Sequence, residues 1–533
     1  MVIGDALRRC AINYSGRLAI QDEYGNHYPK GFSYTYGELF ETVNRLANGF
    51  ISLGLGKGDR VAVQTGTGMG YVLSLLALAK AGIIIAPISP AFMEEEIAYQ
   101  IEDSGARAFV LDADIFTTRV RKIKAKLKSV DVFISIGGDR PCDYDLDGLI
   151  RDGSPDEPPI KVQDDDIATL IYTSGTTGKP KGTPLTHRNW SFSAYIWAAE
   201  LGIHPYTRWL LLLPLNTSGG TGLTLVSTFR GNSLFLSNPD PQKALSIISR
   251  EKITFTQFSP TLLANFIRHP DAENCNFSSI EKWFTSAAPI SENLLKEGAK
   301  YLGKKFIQLY GTTETALLGT VMRPEEVSLE GPSSKRLTSI GRACLGYETK
   351  VIDEEGKPVA AGGIGELAVR GGGVAMAYWN RPGASDFKDG WWHSGDLVKV
   401  DEDGFYYVVD RKKDMILTGG MNVSPREVED MVASHPAVNL VSVIGVPDEK
   451  WGEAVKAIIV LMQSFQATEA EIINHCKERL AGYKRPKSVD FISMSEMPLM
   501  GGGYKVLKRE LRDRYRREYE KKKKDKIDRW GAV

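Results

Sequence analysis

The sequence predicts an α/β protein with a large N-terminal domain of helix-covered sheets, residues 1–411, and a small α+β C-terminal domain, residues 412–533. Three observations support this prediction. The 533 residues exceed what one hydrophobic core usually organises, so at least two domains are expected. Short apolar runs alternate with amphipathic runs through much of the chain, which favours parallel strands covered by helices. From Glu354 to the run 410–414 the pattern changes to short strands joined by glycine-rich turns.

In the N-terminal domain the most apolar window is Tyr71–Pro90. It contains Lys80, Gly82 and Pro87, so it predicts a buried helix followed by a buried strand rather than a membrane span. The clearest alternation follows later, with predicted strands at Ile253–Phe258, Trp283–Ser286 and Phe306–Tyr310 and helices at Leu262–His269 and Glu292–Leu302. Ligands of such sheets bind outside the carboxyl ends of the strands, so the runs 286–289 and 310–314 are expected at a ligand site.

The C-terminal domain is predicted to begin with a helix over Ser424–His435. Ser424 is its expected N-cap, Pro425 takes the first helical position, and Glu427 stands at the capping-box position. The remaining predicted elements are strands Leu440–Val446, Ala454–Leu461 and Val489–Ile492, a helix Glu469–Leu480, and a basic helix Lys508–Lys526.

Composition excludes several classes of protein. With 66 basic and 66 acidic residues the chain has no global field for a polyanion, so nucleic acid is not the expected partner. The basic helix at 508–526 is expected to be solvated, and contact with an anionic membrane or an acidic partner is its alternative.

The sequence opens without a signal peptide. Scattered cysteines without metal-ligand spacing favour reduced thiols and a cytoplasmic location; they are Cys10, Cys142, Cys275, Cys344 and Cys476.

The run Tyr172–Gly182 has the chemistry of a phosphate-binding loop. It follows the apolar strand Ile167–Ile171, and its glycines, hydroxyls and ammonium groups suit phosphate oxygens. It lacks the spacing of a GTPase-type P-loop, because Pro180 follows Lys179. A polar surface loop is the alternative. The candidate phosphate-binding residues are Thr173, Ser174, Gly175, Thr176, Thr177, Gly178, Lys179 and Lys181.

This run resembles the phosphate loop of the adenylate-forming ligases, which comprise acyl-CoA synthetases, adenylation domains of peptide synthetases and beetle luciferases. Four further motifs match in the right order, so the resemblance extends over most of the chain. It implies mixed sheets and a small barrel-like β subdomain in the N-terminal domain, and a C-terminal domain that moves between two half-reactions.

The second motif is Tyr310-Gly311-Thr312-Thr313-Glu314. The resemblance implies that Tyr310 packs on adenine, that Thr313 binds the α-phosphate and that Glu314 ligates Mg²⁺. A carboxylate beside a triphosphate would be repelled unless Mg²⁺ lay between them. A strand that runs into a helix cap is the alternative. The position of Ala287, Ala288 and Pro289 after a predicted strand adds them to the nucleotide site.

Two shorter motifs follow, one at Asp396 and one that runs from Arg411 through Lys413 to Gly419 and Gly420. The resemblance assigns the ribose to Asp396 and Arg411, for which a Gly-Asp turn and an ion pair of Arg411 with Asp410 or Asp414 are the alternatives. It makes Lys413 the interdomain hinge. It also places Gly419 and Gly420 along the tunnel for the pantetheine of coenzyme A, although paired glycines also form tight hairpins.

The last motif is irregular, because Tyr504 stands where glycine usually precedes the lysine. Lys505 is nominated as the ammonium that bridges substrate carboxylate and α-phosphate, with Lys508 as the competing candidate. The catalytic set is therefore Thr173, Thr313, Glu314 and Lys505.

The resemblance implies an ATP-dependent acyl-CoA ligase that uses Mg²⁺, ATP, coenzyme A and a carboxylic acid. The acid is expected to be a medium- or long-chain fatty, alicyclic or aryl acid, since Gly311 replaces the tryptophan of acetate enzymes and residues 213–220 contain no Asp for an amino group. An aromatic-His pair that often gates the acyl pocket is absent at Asn216-Thr217. Alternatives are a ligase that loads a carrier protein, a luciferase-like oxygenase and a non-catalytic nucleotide-binding relative. Oligomers are possible.

Overall fold

The computed structural model describes residues 1–137, 142–173, 179–286, 290–463, 465–477, 479–500 and 505–530. The chain forms two compact units: the first comprises Met1–Lys350 and Ala368–His393, and the second Val351–Leu367 and Ser394–Val533. The predicted domain boundary between residues 411 and 412 lies inside the second unit and stays a prediction.

Several helices of the first unit begin at side-chain caps. The side chains of Thr35, Thr186, Thr217, Asp240, Ser259 and Ser291 each accept a hydrogen bond from the backbone N–H three residues later. The helices are α1 (Ile3–Tyr14), α2 (Tyr36–Ser52), α3 (Met69–Lys80), α4 (Glu94–Ser104), α5 (Ala113–Ile115), α6 (Arg121–Ile123), α7 (Leu146–Asp152), α8 (His187–Leu201), α9 (Ser218–Arg230), α10 (Pro241–Glu251), α11 (Pro260–Ile267) and α12 (Glu292–Leu302).

The strands of the first unit form two large sheets. They are β1 (Leu18–Asp22), β2 (Phe32–Thr35), β3 (Arg60–Gln64), β4 (Ile84–Pro87), β5 (Ala108–Asp112), β6 (Val132–Ile136), β7 (Tyr144–Asp145), β8 (Ile167–Thr173), β9 (Lys181–Thr186), β10 (Arg208–Leu211), β11 (Ser233–Leu236), β12 (Phe255–Phe258), β13 (Lys282–Thr285), β14 (Phe306–Tyr310), β15 (Thr320–Met322) and β16 (Arg342–Ala343).

Both sheets are mixed, as predicted. The seven-stranded sheet has the order β7-β6-β5-β3-β4-β8-β9, and only β9 runs antiparallel to its neighbour. The nine-stranded sheet has the order β16-β15-β14-β13-β12-β10-β11-β1-β2, parallel from β14 to β1 and antiparallel at both ends. The carboxyl ends of β8 and β14 therefore belong to different sheets.

The clearest sequence patterns are confirmed. Helix Glu292–Leu302 and strand Phe306–Tyr310 have the predicted bounds. The apolar window Tyr71–Pro90 contains the buried helix α3 and the buried strand β4. In the part of the chain that the structure describes, no helix is both long and apolar enough to cross a membrane.

Short strands follow Glu354, as predicted, and one further strand of the same region lies before it. These strands are β17 (Tyr347–Ile352), β18 (Ile364–Gly371), β19 (Phe387–Lys388), β20 (Trp391–Val400) and β21 (Tyr406–Arg411).

The rest of the second unit is the predicted α+β arrangement. Strands β23-β22-β25-β24 form an antiparallel sheet, and β26 pairs with β25 in parallel. A core that includes Val428, Val443, Ile459 and Ile472 joins this sheet to two helices. The elements are β22 (Ile416–Thr418), β23 (Met421–Val423), α13 (Pro425–Ala433), β24 (Val438–Asp448), β25 (Gly452–Leu461), α14 (Glu469–Lys477), β26 (Ser488–Phe491), β27 (Leu499–Met500), β28 (Lys505–Val506) and α15 (Lys508–Trp530).

The start of α13 corrects one detail. Ser424 is the N-cap and accepts from the N–H of Glu427, as predicted. The Glu427 carboxylate does not complete a capping box, because both of its oxygens lie 2.7 Å from the Lys484 ammonium. An ion pair replaces the bond back to the cap.

Candidate active site

Two motifs that are far apart in the sequence meet in the first unit. Thr173 is the last residue of β8, and its Oγ1 donates to Glu314 Oε1 at 3.3 Å across 141 positions of chain. Glu314 lies in a turn directly after β14. The start of the predicted phosphate loop and the predicted metal ligand are therefore neighbours, although they follow strands of different sheets.

The Glu314 side chain is held from two sides. It belongs to a residue that is only 6% exposed, and its Oε1 also accepts a hydrogen bond from the Tyr378 hydroxyl at 3.0 Å. The backbone carbonyl of Glu314 accepts from the N–H of Ala375 at 2.7 Å. Among the described residues, the hydrogen bonds to this carboxylate go to Oε1, and none of these residues donates to Oε2.

Tyr378 was not among the residues predicted from the sequence. Burial raises the pKa of its phenol, and the nearby carboxylates of Glu314 and Asp386 raise this pKa further. The hydroxyl therefore keeps its proton at neutral pH and donates to Glu314. The sequence signal was an aromatic pair, Tyr378-Trp379, after a glycine-rich turn, but nothing in that pattern points to Glu314.

The backbone after Glu314 is strained. Ala316 and Leu317 have φ angles of 47° and 75°, a region that residues with a side chain rarely adopt. The N–H of Leu317 returns to the Thr312 carbonyl at 2.9 Å. The loop thus folds tightly back on the start of its own motif.

This loop explains Gly311. A Cβ on residue 311 would lie 2.1 Å from the Leu317 carbonyl oxygen, closer than any real contact. Glycine is therefore required here by the path of the backbone, whatever acid is bound. The inference from Gly311 to an open acyl pocket loses its force, because a side chain at this position meets the protein's own backbone.

The two lysines of the phosphate motif differ in their surroundings. Lys179 is exposed, and its ammonium lies 5.1 Å from the centre of the Tyr99 ring. The Lys181 side chain is only 8% exposed, and its ammonium lies 2.9 Å from Asp386 Oδ2. Lys181 thus has a protein partner that the sequence did not reveal.

Several predicted site residues lie outside the part of the chain that the structure describes. Nothing is described for the loop residues Ser174, Gly175, Thr176, Thr177 and Gly178, for the trio Ala287, Ala288 and Pro289, or for the side chain of Lys505. Tyr310 ends β14, and Thr312 and Thr313 follow in the turn that carries Glu314.

In the second unit, the two predicted ribose residues are cross-strand neighbours. Asp396 in β20 pairs with Arg411 in β21, and Arg411 Nε lies 3.1 Å from Asp396 Oδ1. Asp396 is 5% exposed. Arg411 thus forms an ion pair with Asp396, a partner that the sequence analysis did not name. The N–H of Arg411 donates to Asp410 Oδ1 at 2.7 Å.

Lys413 lies in the short turn after Arg411. Burial lowers the pKa of its ammonium, and the positive charges of Arg411 and Arg512 lower this pKa further. Its neighbour Asp414 pairs with Arg512 at 2.8 Å. A hinge role for Lys413 stays a prediction.

Gly419 and Gly420 form the two-residue turn between β22 and β23. Their φ angles are 56° and 80°, which favour glycine, and a Cβ on Gly419 would lie 2.8 Å from the Trp451 ring. The tight-hairpin alternative therefore describes the local structure, and a role toward coenzyme A stays a prediction.

Lys508, the competitor of Lys505, has a partner of its own. Its ammonium lies 2.8 Å from Glu429 Oε1, and Glu429 also accepts from the N–H of Val443 at 2.7 Å. An ammonium held by a carboxylate in this way is poorly placed to serve as a mobile group.

Comparison with known proteins identifies the family. The profile of the AMP-binding enzymes matches residues 7–379, and that of the AMP-binding enzyme C-terminal domain matches residues 427–520. The chain is 35% identical to the medium/long-chain-fatty-acid–CoA ligase FadD8 of Mycobacterium tuberculosis, over 90% of this chain and 86% of that protein. It is 34% identical to a feruloyl-CoA synthase of an Amycolatopsis species, over 91% and 94%.

A solved structure agrees with the sequence relatives. The anthranilate CoA ligase AuaEII in complex with anthranoyl-AMP superposes with a TM-score of 0.87 at 28% identity, over 97% of this chain and 98% of that one. The fold class and the resemblance drawn from the motifs are thereby confirmed. This chain belongs to the AMP-binding enzyme family.

Proposed function

We propose that this AMP-binding enzyme is an ATP-dependent acyl-CoA ligase whose nucleotide site is built around Thr173 and Glu314. The observation that carries this proposal is the hydrogen bond between these two side chains, which joins the phosphate loop to the motif expected to hold the metal. The two sequence relatives and the solved structure named above are all CoA ligases or synthases, which supports coenzyme A as the acceptor.

The reaction needs no nucleophilic side chain. The substrate carboxylate attacks the α-phosphorus of ATP, the bond to pyrophosphate breaks, and an acyl-adenylate forms. The thiol of coenzyme A then attacks the acyl carbon, and AMP leaves. Catalysis is therefore positioning and charge stabilisation, for which the exposed Lys179, the hydroxyls of Thr173 and Thr313, and the loop residues 174–178 have the right groups.

Glu314 has the surroundings expected of a magnesium ligand. Its carboxylate is buried, two hydroxyls donate to one oxygen, and the other oxygen receives no hydrogen bond from the described residues. Mg²⁺ commonly takes one or two carboxylates together with phosphate oxygens and water. When bound, Mg²⁺ would neutralise phosphate charge and favour the departure of pyrophosphate.

The other nucleotide contacts are carried over from the family resemblance. Tyr310 would pack on the base, the run 287–289 would belong to the nucleotide site, and Asp396 with Arg411 would hold the ribose. The cross-strand pairing of Asp396 and Arg411 supports a joint role, because a carboxylate oriented by a guanidinium is a ready acceptor for hydroxyl groups.

Lys505 would supply the ammonium that joins the two anions of the first step. The commitment of Lys508 to Glu429 supports this choice over its competitor. Lys413 as hinge, and Gly419 with Gly420 beside the pantetheine arm, complete the set of proposed roles.

The proposed acid is a medium- or long-chain fatty acid or an aryl acid. The named relatives act on acids of both kinds. An amino acid is disfavoured, because residues 213–220 contain no carboxylate to pair with an amino group. Thr217, which stands where relatives often have a gating pair, is the N-cap of α9 and donates to the Pro214 carbonyl at 2.7 Å. A cytoplasmic location, contact of α15 with anionic lipid, and oligomer formation remain predictions from the sequence.

The test is pyrophosphate release with ATP and Mg²⁺ against acids from acetate through medium- and long-chain fatty acids to benzoate and cinnamates, with mass detection of thioesters. Acid-dependent release with an acyl-CoA product is expected. Release without a thioester would instead indicate a carrier-protein acceptor, and no release with any acid would favour a non-catalytic relative.

A matched pair of variants ties the activity to the site. Glu314→Gln removes the charge of the proposed metal ligand and is expected to lower pyrophosphate release about 100-fold. Glu102→Gln makes the same change at an exposed position of α4 and should leave it unchanged. Equal activities would contradict the assignment of Glu314.

A further inference from the structure

Tyr378 connects Glu314 to a second group of residues in the first unit. Its hydroxyl donates to Glu314 Oε1 at 3.0 Å, and its ring packs edge-on against Phe387 with 5.2 Å between ring centres. The residue is buried. The direction of its hydroxyl therefore depends on how firmly its ring is held.

Lys181 holds the ring from another side. Its ammonium lies 4.5 Å from the centre of the Tyr378 ring and 2.9 Å from Asp386 Oδ2. A desolvated ammonium over an aromatic face is attracted to it, and the nearby carboxylate balances its charge. Asp386 is anchored in turn, because its carbonyl accepts from the N–H of His393 at 2.7 Å.

The hairpin of β8 and β9 brings both ends of this chain of contacts together. Thr173 and Lys181 are direct cross-strand partners. Thr173 contacts the Glu314 carboxylate directly, whereas Lys181 reaches it only through the Tyr378 ring and hydroxyl. The Lys181 ammonium is paired with the Asp386 carboxylate, so a direct contact of Lys181 with phosphate is the weaker interpretation.

We propose that Tyr378 is a positioning residue for Glu314, and that the Lys181–Asp386 ion pair acts on the site by holding the Tyr378 ring. The hydroxyl fixes Oε1 of the carboxylate and leaves Oε2 for the metal. This inference rests on the proposed role of Glu314 as the Mg²⁺ ligand. It assigns Lys181, a residue of the phosphate motif, to support of the metal ligand instead of the phosphates.

The experiment measures metal and nucleotide binding separately. Mn²⁺, a paramagnetic substitute for Mg²⁺, is titrated in the presence of a non-hydrolysable ATP analogue, and free Mn²⁺ is read by electron paramagnetic resonance. Calorimetry with the same analogue and a chelator gives the affinity of the metal-free nucleotide. The variants are Tyr378→Phe, the double variant Lys181→Met/Asp386→Asn, and the triple variant that combines them.

We expect Tyr378→Phe to weaken Mn²⁺ binding about 10-fold, the effect of losing one hydrogen bond to a charged group, and to change metal-free nucleotide binding less than about 2-fold. The double variant removes both charges, so it leaves no unpaired ion, and it should weaken Mn²⁺ binding in the same direction. In the Tyr378→Phe background the same two changes should add less than about 2-fold, because their effect passes through the hydroxyl.

Tyr36→Phe is the control. Tyr36 is a buried tyrosine of the same unit whose hydroxyl donates to the Asn232 carbonyl at 2.7 Å. It matches the loss of a buried hydrogen bond, so it should lower thermal stability comparably without changing Mn²⁺ affinity.

Three results would overturn the proposal. One is unchanged Mn²⁺ affinity in Tyr378→Phe. Another is a loss of metal-free nucleotide binding in the double variant that is equally large when the same two changes are made in Tyr378→Phe, as a direct phosphate ligand requires. The third is a wild type that binds the nucleotide but does not bind Mn²⁺, which would remove the role of Glu314. A wild type that binds both but releases no pyrophosphate would refute the ligase function alone, since the binding comparison does not depend on turnover.

Discussion

Replacing Lys508 by Met separates the two lysines that compete for the catalytic role. The Lys508 ammonium lies 2.8 Å from Glu429 Oε1, and each of the two side chains is 19% exposed. Burial raises the pKa of the Glu429 carboxyl, and the Lys508 charge partly reverses this rise. Lys508→Met therefore leaves a largely buried carboxylate with one backbone donor, Val443 N–H.

The expected cost follows from this geometry. Removing one partner of a fully buried ion pair costs about 3–5 kcal/mol, and the remaining exposure of this pair reduces the expected cost to about 2–3 kcal/mol. For a folding unit of this size, that loss lowers the melting temperature by roughly 4–12 °C. The stability deficit also depends on pH. A carboxyl whose pKa is raised by folding favours the folded state only where it is protonated, so the deficit is smallest below about pH 4.5 and grows as pH rises.

The assay combines calorimetric unfolding at pH 5 and pH 8 with pyrophosphate release at 20 °C, where the variant stays folded. Lys508→Met should be destabilised, more at pH 8, and should keep its activity. Lys505→Met should keep its stability and lose about 100-fold in the first half-reaction. Lys521→Met places the same substitution at an exposed position of α15 and should change neither.

The reverse pattern would refute this reasoning. If Lys508→Met melts like the wild type and loses pyrophosphate release, its ammonium acts on the substrate, and the ion pair with Glu429 is incidental. An equal stability deficit at both pH values would show that Glu429 does not carry the cost.

Three further predictions concern the first unit. Thr173→Val removes the hydroxyl that donates to Glu314, so kcat/KM for pyrophosphate release should fall about 10-fold with little change in melting temperature; an unaltered kcat/KM would mean that the contact has no role in the reaction. Gly311→Ala forces a Cβ to 2.1 Å from the Leu317 carbonyl oxygen and should lower the free energy of unfolding by about 1–3 kcal/mol. Gly16→Ala is the control, because a Cβ there meets nothing within 4 Å, and it should leave the free energy of unfolding unchanged. Equal unfolding curves for the two variants would contradict the tight loop. His187 is buried, and burial lowers its pKa from 6.5 to about 4. As pH falls, the unfolded chain therefore binds a proton before the folded chain does. The free energy of unfolding of the wild type should fall by about 3 kcal/mol between pH 6.5 and pH 4 because of this group. His187→Gln should remove that part of the acid sensitivity in urea unfolding, and a parallel pH dependence in both proteins would assign it to other groups.

The secondary structure was predictable where the pattern is local. Helix Glu292–Leu302 and strand Phe306–Tyr310 were found from the alternation of apolar and amphipathic runs, because hydrophobic spacing acts over one or two turns. The capping box at Glu427 was wrong, since Lys484, 57 positions away, takes that carboxylate. Competition from a distant charge leaves no trace in the local sequence.

The candidate site divides in the same way. The motifs indicated which residue types handle phosphate, metal and ribose, and the family profiles agree with that assignment of class. They did not indicate Tyr378 or Asp386. Asp386 lies 205 positions from Lys181, and no pattern in either segment selects one carboxylate among the 66 acidic residues.

By itself, the sequence determined the α/β class, the family and the chemistry, because these depend on residue types and on spacings within short segments. Only the tertiary structure decided that the carboxyl ends of β8 and β14, strands of different sheets, bring Thr173 to Glu314, and that Lys181 pairs with Asp386 beside Tyr378. The physical reason is that such contacts follow from how sheets pack and where loops close, which many distant side chains settle together. Gly311 shows the same limit: its meaning came from a backbone that returns to it six residues later.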